Sequence, residues 1–183
     1  IYNQAIKTNN PELLEAKRLG TATLSYPQAV GELTKHYETI AIAGAHGKST
    51  TTALAALILI KSGLDPTIII GTKLKELQGN NFRSGKSKWL VLEADEYGAA
   101  FLNYSPALAV ITNIDREHLD FYKNFSNVKK AFLKFINNIQ IGGVLIVNRD
   151  NPPLFKLKHK IESICLNHRV KIIWYSLNKS KVQ

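Results

Sequence analysis

Short apolar runs alternate with segments of helical character along most of this 183-residue chain. Residues 39–43, 88–93 and 107–113 are almost continuously apolar, which is typical of strands that are buried on both faces of a sheet. Further runs of this kind are residues 66–71, 144–147 and 170–175. Because helical segments separate most of these runs, the pattern predicts an α/β fold in which a parallel sheet carries helices on both faces.

The segments between the predicted strands contain helix and loop signals. Residues 49–62 predict a helix closed by Gly63, and Ser126 is placed to cap a later helix whose apolar positions repeat every 3.6 residues. Residues 78–86 are polar and contain glycine, so we expect a loop there. The apolar positions of the later helix are Val128, Phe132, Phe135, Ile136 and Ile139.

The first 37 residues have a separate organisation. Asn10, Pro11 and Glu12 form a helix start, with a cap residue, a proline at the first position and an acid in the first turn. This helix is expected to end at Gly20, before a strand at residues 21–25 and a second helix at residues 27–37. We therefore expect residues 1–37 to be the remnant of a preceding α/β domain. Residues 38–183 would form the next domain, incomplete at its C-terminal end.

Cysteine content and hydropathy exclude several protein classes. The single cysteine, Cys165, rules out both a disulfide framework and a cysteine-based zinc site. No apolar stretch approaches the ~20 residues of a membrane helix, and the N-terminus lacks a basic-then-apolar signal pattern. We therefore expect a cytoplasmic protein with no membrane partner.

The net charge of +10 is unevenly distributed. Residues 121–183 contain twelve of the 24 Lys and Arg residues but only two of the 14 acidic residues. Such a basic half is typical of a solvated helix face, of a surface that other segments cover, or of a polyanion-binding surface. Nucleic-acid binding would require aromatic side chains among the exposed basic ones, whereas Phe132 and Phe135 belong to the apolar helix stripe. We expect the exposed basic surface to promote self-association.

The segment between the first predicted strand of the second domain and its helix has the pattern of a phosphate-binding loop. At a strand-to-helix turn, backbone N–H groups and the helix N-terminus converge and create an anion site. Lys48 is placed to reach the β- and γ-phosphates, facing solvent when no ligand is bound, and the Ser49 hydroxyl is placed to bind Mg²⁺. Ile42 stands where the strict G-x-x-x-x-G-K-[ST] pattern has its first glycine, so this loop is a shorter form. The predicted nucleotide-binding residues are Gly44, Ala45, His46, Gly47, Lys48, Ser49 and Thr50.

Acidic residues follow two of the predicted strands. Glu93, Asp95 and Glu96 lie where one strand ends, at the edge of the sheet where ligands of open α/β folds bind. Strand alternation predicts that Glu93 and Asp95 point one way and Glu96 the other. Glu93 is the acid best held by the strand, so we expect it to be the Mg²⁺ partner of the loop. His118, among the carboxylates of residues 112–120, is a candidate for binding a metal or orienting a substrate.

Residues 44–50, 93–97 and 112–122 together resemble the three motifs of the Mur ligases, the ATP-dependent amide-forming enzymes of bacterial cell-wall synthesis. The resemblance implies a phosphate-loop-type parallel sheet, the central domain of that family, preceded by the end of a UDP-binding domain at residues 1–37. It also implies a catalytic set of Lys48, Glu93 and His118. The metal ligands that it implies are Ser49 and Glu93 for one Mg²⁺, with His118 helping to hold a second Mg²⁺.

Within the family, the motifs are most similar to those of the branch that joins L-alanine to UDP-N-acetylmuramate. The implied reaction consumes ATP, requires Mg²⁺, proceeds through an acyl phosphate and involves small molecules rather than nucleic acid. One alternative is the branch that reattaches recycled murein tripeptide to UDP-N-acetylmuramate. Another is a non-catalytic nucleotide-binding module that docks nucleic acid. Because the amino-acid pocket of the family lies in a C-terminal domain, we expect the 183-residue chain to be inactive by itself.

Overall fold

A computed structural model describes residues 1–178 of the chain. Within those residues, seven strands form one sheet in the order β3-β2-β4-β1-β5-β6-β7. All neighbouring strands are parallel except β3, which pairs with β2 in the antiparallel direction. The strands are β1 (Glu38–Ala43), β2 (Thr67–Leu74), β3 (Asn80–Arg83), β4 (Trp89–Glu93), β5 (Leu108–Ile111), β6 (Val144–Asn148) and β7 (Lys171–Tyr175).

Helices cover both faces of this sheet, so the predicted fold class is confirmed. The helix that follows β1 packs on one face, against Ile42 and Val91, while the remaining core helices pack on the other. None of the helices in residues 1–178 has the length and apolar character needed to span a membrane. The helices are α1 (Pro11–Arg18), α2 (Tyr26–Thr34), α3 (Lys48–Lys61), α4 (Leu119–Tyr122), α5 (Phe125–Asn137), α6 (Pro152–Phe155) and α7 (Lys158–Asn167), with 3₁₀ segments at Lys75–Leu77 and Tyr97–Asn103.

Aromatic side chains fill the larger of the two cores. The ring of Phe101 stacks on that of Phe135 with centroids 4.9 Å apart, and it meets Phe132 edge-on at 5.2 Å. All three side chains are fully buried, as the apolar stripe of α5 predicts. Phe132 and Phe135 are therefore not available to stack on nucleic-acid bases.

Three local expectations are wrong. Residues 21–25 form no strand, and only an isolated bridge joins Ser25 to Tyr2. The predicted loop at residues 78–86 contains β3, because Arg83 pairs with Asp65 and donates a hydrogen bond to the carbonyl of Pro66, contacts that are distant in sequence. Helix α5 begins before Ser126, since the side chain of Asn124 accepts a hydrogen bond from the amide of Asn127 at 3.0 Å.

Helix α2 lies directly on the segment that follows β4. Val30 is buried in the larger core. A Cβ atom on Gly31 would come within 2.5 Å of the carbonyl oxygen of Asn103, so only glycine permits this close approach. The first turn of α2 reaches the carboxyl edge of the sheet, because Tyr26 and Pro27 line a cleft there together with Lys48 and Glu93. In α/β folds this edge is where ligands bind.

Cys165 provides a test of the packing of α7. The side chain is 1% exposed, and burial raises the pKa of its thiol to about 11. Because each pKa unit changes the thiolate fraction about tenfold, we expect iodoacetamide at pH 8 to alkylate the native chain about 100-fold more slowly than the urea-unfolded chain. Mass spectrometry of timed samples measures both rates, and similar rates would show that α7 does not shield the thiol.

Candidate active site

The turn between β1 and α3 depends on two glycines with left-handed backbone angles. Gly44 has φ +145° and Gly47 has φ +80°. A Cβ atom on Gly44 would lie 2.0 Å from Thr112 Oγ1, whereas one on Gly47 would meet nothing within 4 Å. The first glycine therefore allows the loop to lie against the end of β5, and the second turns the chain into α3.

Side-chain and backbone groups after β5 hold the loop in place. Asn113 Oδ1 accepts a hydrogen bond from the amide of His46 at 2.8 Å, and the Asn113 carbonyl accepts one from the amide of Ala45 at 3.2 Å. The carbonyl of His46 accepts from Thr112 Oγ1 at 2.7 Å and from Asn113 Nδ2 at 2.9 Å. The sequence analysis missed this role of Thr112 and Asn113, because nothing in the local pattern indicates which loop they contact.

These contacts divide the predicted nucleotide-binding residues into two groups. The amides of Ala45 and His46 donate to Asn113, so they are not free for an anion. The amides of Lys48, Ser49 and Thr50 lie in the first turn of α3, where helix geometry leaves N–H groups without an intrahelical partner. The positive end of the helix dipole lies at the same point. An anion in this site would therefore meet the first turn of α3 rather than the whole loop.

The expectation that Lys48 faces solvent in the empty site is wrong. Its side chain is 13% exposed. The ammonium Nζ donates to the carbonyl of Gly44 at 2.7 Å and contacts the carboxylate of Glu96 at 2.8 and 3.1 Å. The lysine therefore folds back over its own loop, because a buried carboxylate lies within its reach.

Ser49 and Glu93 lie together at the same helix N-terminus. The hydroxyl of Ser49 donates to Glu93 Oε1 at 2.9 Å, and the amide of Gly71 donates to Glu93 Oε2 at 2.7 Å. A hydroxyl beside a carboxylate is an oxygen donor set, which is what Mg²⁺ prefers. The residues present therefore fit the implied cation, with Ser49 and Glu93 as its protein ligands.

Glu96 is a site residue that the sequence analysis did not select. Strand alternation predicts that Glu96 points away from Glu93 and Asp95. This expectation fails because β4 ends at Glu93, so the residues after it no longer point alternately to the two faces of the sheet. The Glu96 side chain is 2% exposed, and its carboxylate also lies 3.5 Å from Nε2 of His118. The hydroxyl of Tyr122 donates to the Glu96 carbonyl at 2.5 Å, and burial raises the pKa of this tyrosine.

His118 belongs to a second cluster rather than to the Ser49–Glu93 pair. One ligand atom from each of Asp95, Glu96 and His118 lies within 4.8 Å of the others. The backbone of His118 has φ +56°, and its ring lies 4.9 Å from that of Tyr97. The predicted metal ligands Ser49, Glu93 and His118 are thus divided between two places. Ser49 contacts the carboxylate of Glu93, whereas His118 lies beside the carboxylate of Glu96.

His46 joins the loop to the third motif at the surface. Its Nε2 lies 3.3 Å from Asp115 Oδ2, and both side chains are more than half exposed. The backbone amide of Arg116 and the ring of His46 lower the pKa of Asp115. This contact adds a surface link between two loops, and such exposed pairs contribute little to stability.

A cleft of about 500 Å³ opens beside these groups. It extends along the carboxyl edge of the sheet, between the loop and helix α2. Its walls include Lys48, Gly71, Glu93 and Asp95 on the side of the sheet and Tyr26 on the side of the N-terminal segment. The cleft is therefore large enough for a small molecule and is lined by both charged groups and the N-terminal residues.

Known proteins are similar to this chain in sequence and in architecture. Residues 42–183 match the Mur ligase middle domain. Over 178 residues the chain is 46% identical to the UDP-N-acetylmuramate–L-alanine ligase of Aquifex aeolicus, covering 97% of this chain. The crystal structure of UDP-N-acetylmuramate–alanine ligase from Thermotoga maritima gives a TM-score of 0.74 at 26% identity, over 85% of this chain. A UDP-N-acetylmuramate:L-alanyl-γ-D-glutamyl-meso-diaminopimelate ligase from Neisseria meningitides, at 24% identity over 93% of this chain, shares the fold with a TM-score of 0.78.

The matched proteins are longer than this chain. The chain spans 37% of the length of the Aquifex ligase, 36% of the Thermotoga chain and 56% of the Neisseria chain. The match to the middle domain nevertheless covers most of the chain, and the identity to the Aquifex ligase extends over nearly all of it. The chain therefore belongs to the Mur ligase family.

Proposed function

We propose that this chain is the ATP-binding part of a ligase that joins L-alanine to UDP-N-acetylmuramate. The observation that carries the proposal is the convergence of Lys48, Ser49 and Glu93 at the N-terminus of α3. This point combines a cation, a pair of oxygen ligands and free helix amides, which is the set that a Mg²⁺-bound nucleotide requires. The identity to an alanine-adding ligase supports the choice of substrates.

The residues of this chain would align the reactants and neutralise charge. The first turn of α3 binds the phosphates of ATP through its amides, and Lys48 contacts the terminal phosphates. Ser49 and Glu93 hold Mg²⁺, which neutralises phosphate charge when it is bound. The muramate carboxylate then attacks the γ-phosphate to give an acyl phosphate and ADP. The amine of L-alanine attacks the acyl carbon, forms the amide and releases phosphate.

The proposal also assigns a role to each part of the chain. Residues 1–37 are the end of a UDP-binding domain, and residues 38–183 are the ATP-binding domain. The position of Tyr26 in the wall of the cleft supports this division, because it brings the N-terminal segment next to Glu93 and Lys48. Both substrates and ATP are small cytoplasmic molecules, so we place the enzyme in the cytoplasm.

The test is a phosphate-release assay on the longer protein that contains this chain. With ATP, Mg²⁺ and UDP-N-acetylmuramate present, we expect turnover with L-alanine and none with the L-alanyl-γ-D-glutamyl-diaminopimelate tripeptide. Preference for the tripeptide would favour the recycling ligase instead. Nucleotide binding without turnover on either substrate would favour a non-catalytic module.

The 183-residue chain is the control in the same assay, and we expect it to release no phosphate. Ligation requires the reacting atoms to be held about 3–3.5 Å apart and in line, so the parts that hold both substrates must be present. Water that enters an open site would also hydrolyse any acyl phosphate. Substrate-dependent turnover by the chain alone would contradict the division of roles.

A further inference from the structure

Strand β7 forms an open edge of the sheet. It pairs with β6 on one side, and no other strand within residues 1–178 pairs with it. The opposite edge strand, β3, is short and polar and ends in Arg83, and such features hinder pairing with another chain. By contrast, β7 is an apolar run of five residues whose one charge is at Lys171. An apolar edge of this kind is a template for pairing with a further strand.

The backbone groups that point toward this open edge are those of Ile172 and Trp174. The amide of Lys171 donates to the residue before β6, and the carbonyl of Tyr175 accepts from the residue after β6, both at 2.9 Å. The backbone groups of Lys171 and Tyr175 are therefore directed toward β6. Because successive residues of a strand direct these groups to alternate sides, those of Ile172 and Trp174 point away from β6.

The sheet face beside this edge is also uncovered. Helix α3 packs on β1, β2 and β4, and the smaller core beneath it contains no residue of β6 or β7. Val144 and Ile146 are partly exposed on this face, whereas Leu145 and Val147, on the other face of β6, are fully buried. Ile173 lies next to Ile146 in the sheet and is 40% exposed. Val144, Ile146 and Ile173 thus form an apolar strip along the open edge.

The sequence of β7 is complementary to itself in the antiparallel direction. A twofold axis at Ile173 places this residue opposite its own copy, Ile172 opposite Trp174, and Lys171 opposite Tyr175. Ile172 and Trp174 can then exchange backbone hydrogen bonds, because the groups of both point toward the open edge. Pairs of a β-branched and an aromatic side chain are favourable across strands, and no two like charges face each other.

We infer that the 183-residue chain associates with a second copy by pairing β7 with β7 in the antiparallel direction. The two sheets then continue into each other, and the two apolar strips become contiguous. The inference goes beyond the proposed function, because it does not involve the nucleotide site. The interface is small compared with the roughly 800 Å² per partner of a stable complex, so we expect a dissociation constant on the order of 10 µM.

The charge of the chain distinguishes this interface from the basic surface to which the sequence analysis attributes self-association. A net charge of +10 on each copy opposes their approach, so the dimer depends on backbone and apolar contacts. Salt screens this repulsion, and we expect the dimer to tighten by about threefold or more between about 0.05 and about 0.5 M NaCl. Sedimentation equilibrium measures the dissociation constant. Association that weakens with salt, or a chain that stays monomeric at about 300 µM, would overturn the inference.

A pair of opposite charges at Ile173 tests the position of the twofold axis. Ile173→Lys and Ile173→Glu each place like charges opposite each other, so each variant alone should dimerise on the order of tenfold more weakly than the unchanged chain. Mixed in equal amounts, the two variants should regain the lost affinity, because only a position that faces its own copy allows this rescue. Leu14→Lys, at a 51% exposed position of α1, is the charge-matched control and should leave dimerisation unchanged. Unweakened dimerisation of Ile173→Lys, or no recovery in the mixture, would overturn the pairing.

A cysteine at the same position gives a second measurement that does not depend on affinity. Facing residues of a non-hydrogen-bonded antiparallel pair have Cα atoms about 4.5 Å apart, which lies within the range of about 4.4–6.8 Å for disulfides. We expect diamide to convert Ile173→Cys into a covalent dimer on non-reducing gels. Leu14→Cys should cross-link only slowly, and the unchanged chain should not, since its Cys165 is 1% exposed. If circular dichroism shows that Ile173→Cys is folded and no rapid cross-link forms, the pairing is excluded.

Discussion

Replacing Gly44 with alanine is expected to destabilise the folded chain by roughly 2–6 kcal/mol, since backbone strain and overpacking each cost about 1–3 kcal/mol. The new Cβ atom would lie 2.0 Å from Thr112 Oγ1 and 3.1 Å from two backbone atoms of Asn113, at a φ of +145°. Thr112 cannot rotate away without losing its 2.7 Å hydrogen bond to the carbonyl of His46. Urea unfolding followed by circular dichroism measures the loss.

Gly47→Ala is the matched control in the same loop. Gly47 also has a positive φ, of +80°, but a Cβ atom there meets nothing within 4 Å. Only the left-handed backbone strain applies, so a loss of about 1–2 kcal/mol is expected. Equal losses at the two positions would mean that the contact of the loop with Thr112 adds nothing to stability.

In the longer enzyme, Glu93→Gln is expected to lower kcat by about 100-fold or more, because a fixed charge at the phosphates is lost. The fold should persist: the new side chain can accept from the amide of Gly71 and donate to Ser49 Oγ, replacing the two present hydrogen bonds. The free energy of unfolding should therefore change by no more than about 1 kcal/mol. Steady-state kinetics and urea unfolding of the same preparation separate the two effects.

Glu38→Gln is the control for the loss of a carboxylate. Glu38 lies at the other end of the sheet, where its closest ion pair, with Lys88, is 3.8 Å long. Turnover of this variant should equal that of the unchanged enzyme. If Glu93→Gln also retained full turnover, the pair formed by Ser49 and Glu93 would not be the cation site of the reaction.

Local sequence patterns were sufficient for the fold class and for the parallel strands, although not for β3. The apolar runs predict both ends of each parallel strand to within two residues, except for the C-terminal end of β2. They do so because burial on both faces of the sheet excludes polar side chains from these strands. The strand-to-helix turn that contains Gly44 and Gly47 likewise predicts an anion site, because only glycine adopts these backbone angles at low cost. The fold class and the family are confirmed, whereas the roles of Lys48, Ser49, Glu93 and His118 stay predictions.

The partners of the site residues were decided by the tertiary structure. The carboxyl ends of β1, β4 and β5 are neighbours in the sheet, although Lys48 and Glu96 are 48 residues apart and His46 and Asn113 are 67 residues apart. Periodicity describes which face a residue occupies within one element, and it fails for Glu96 because β4 has already ended. Pairing between loops depends on which strands the sheet places side by side, and that is a property of the whole packed core.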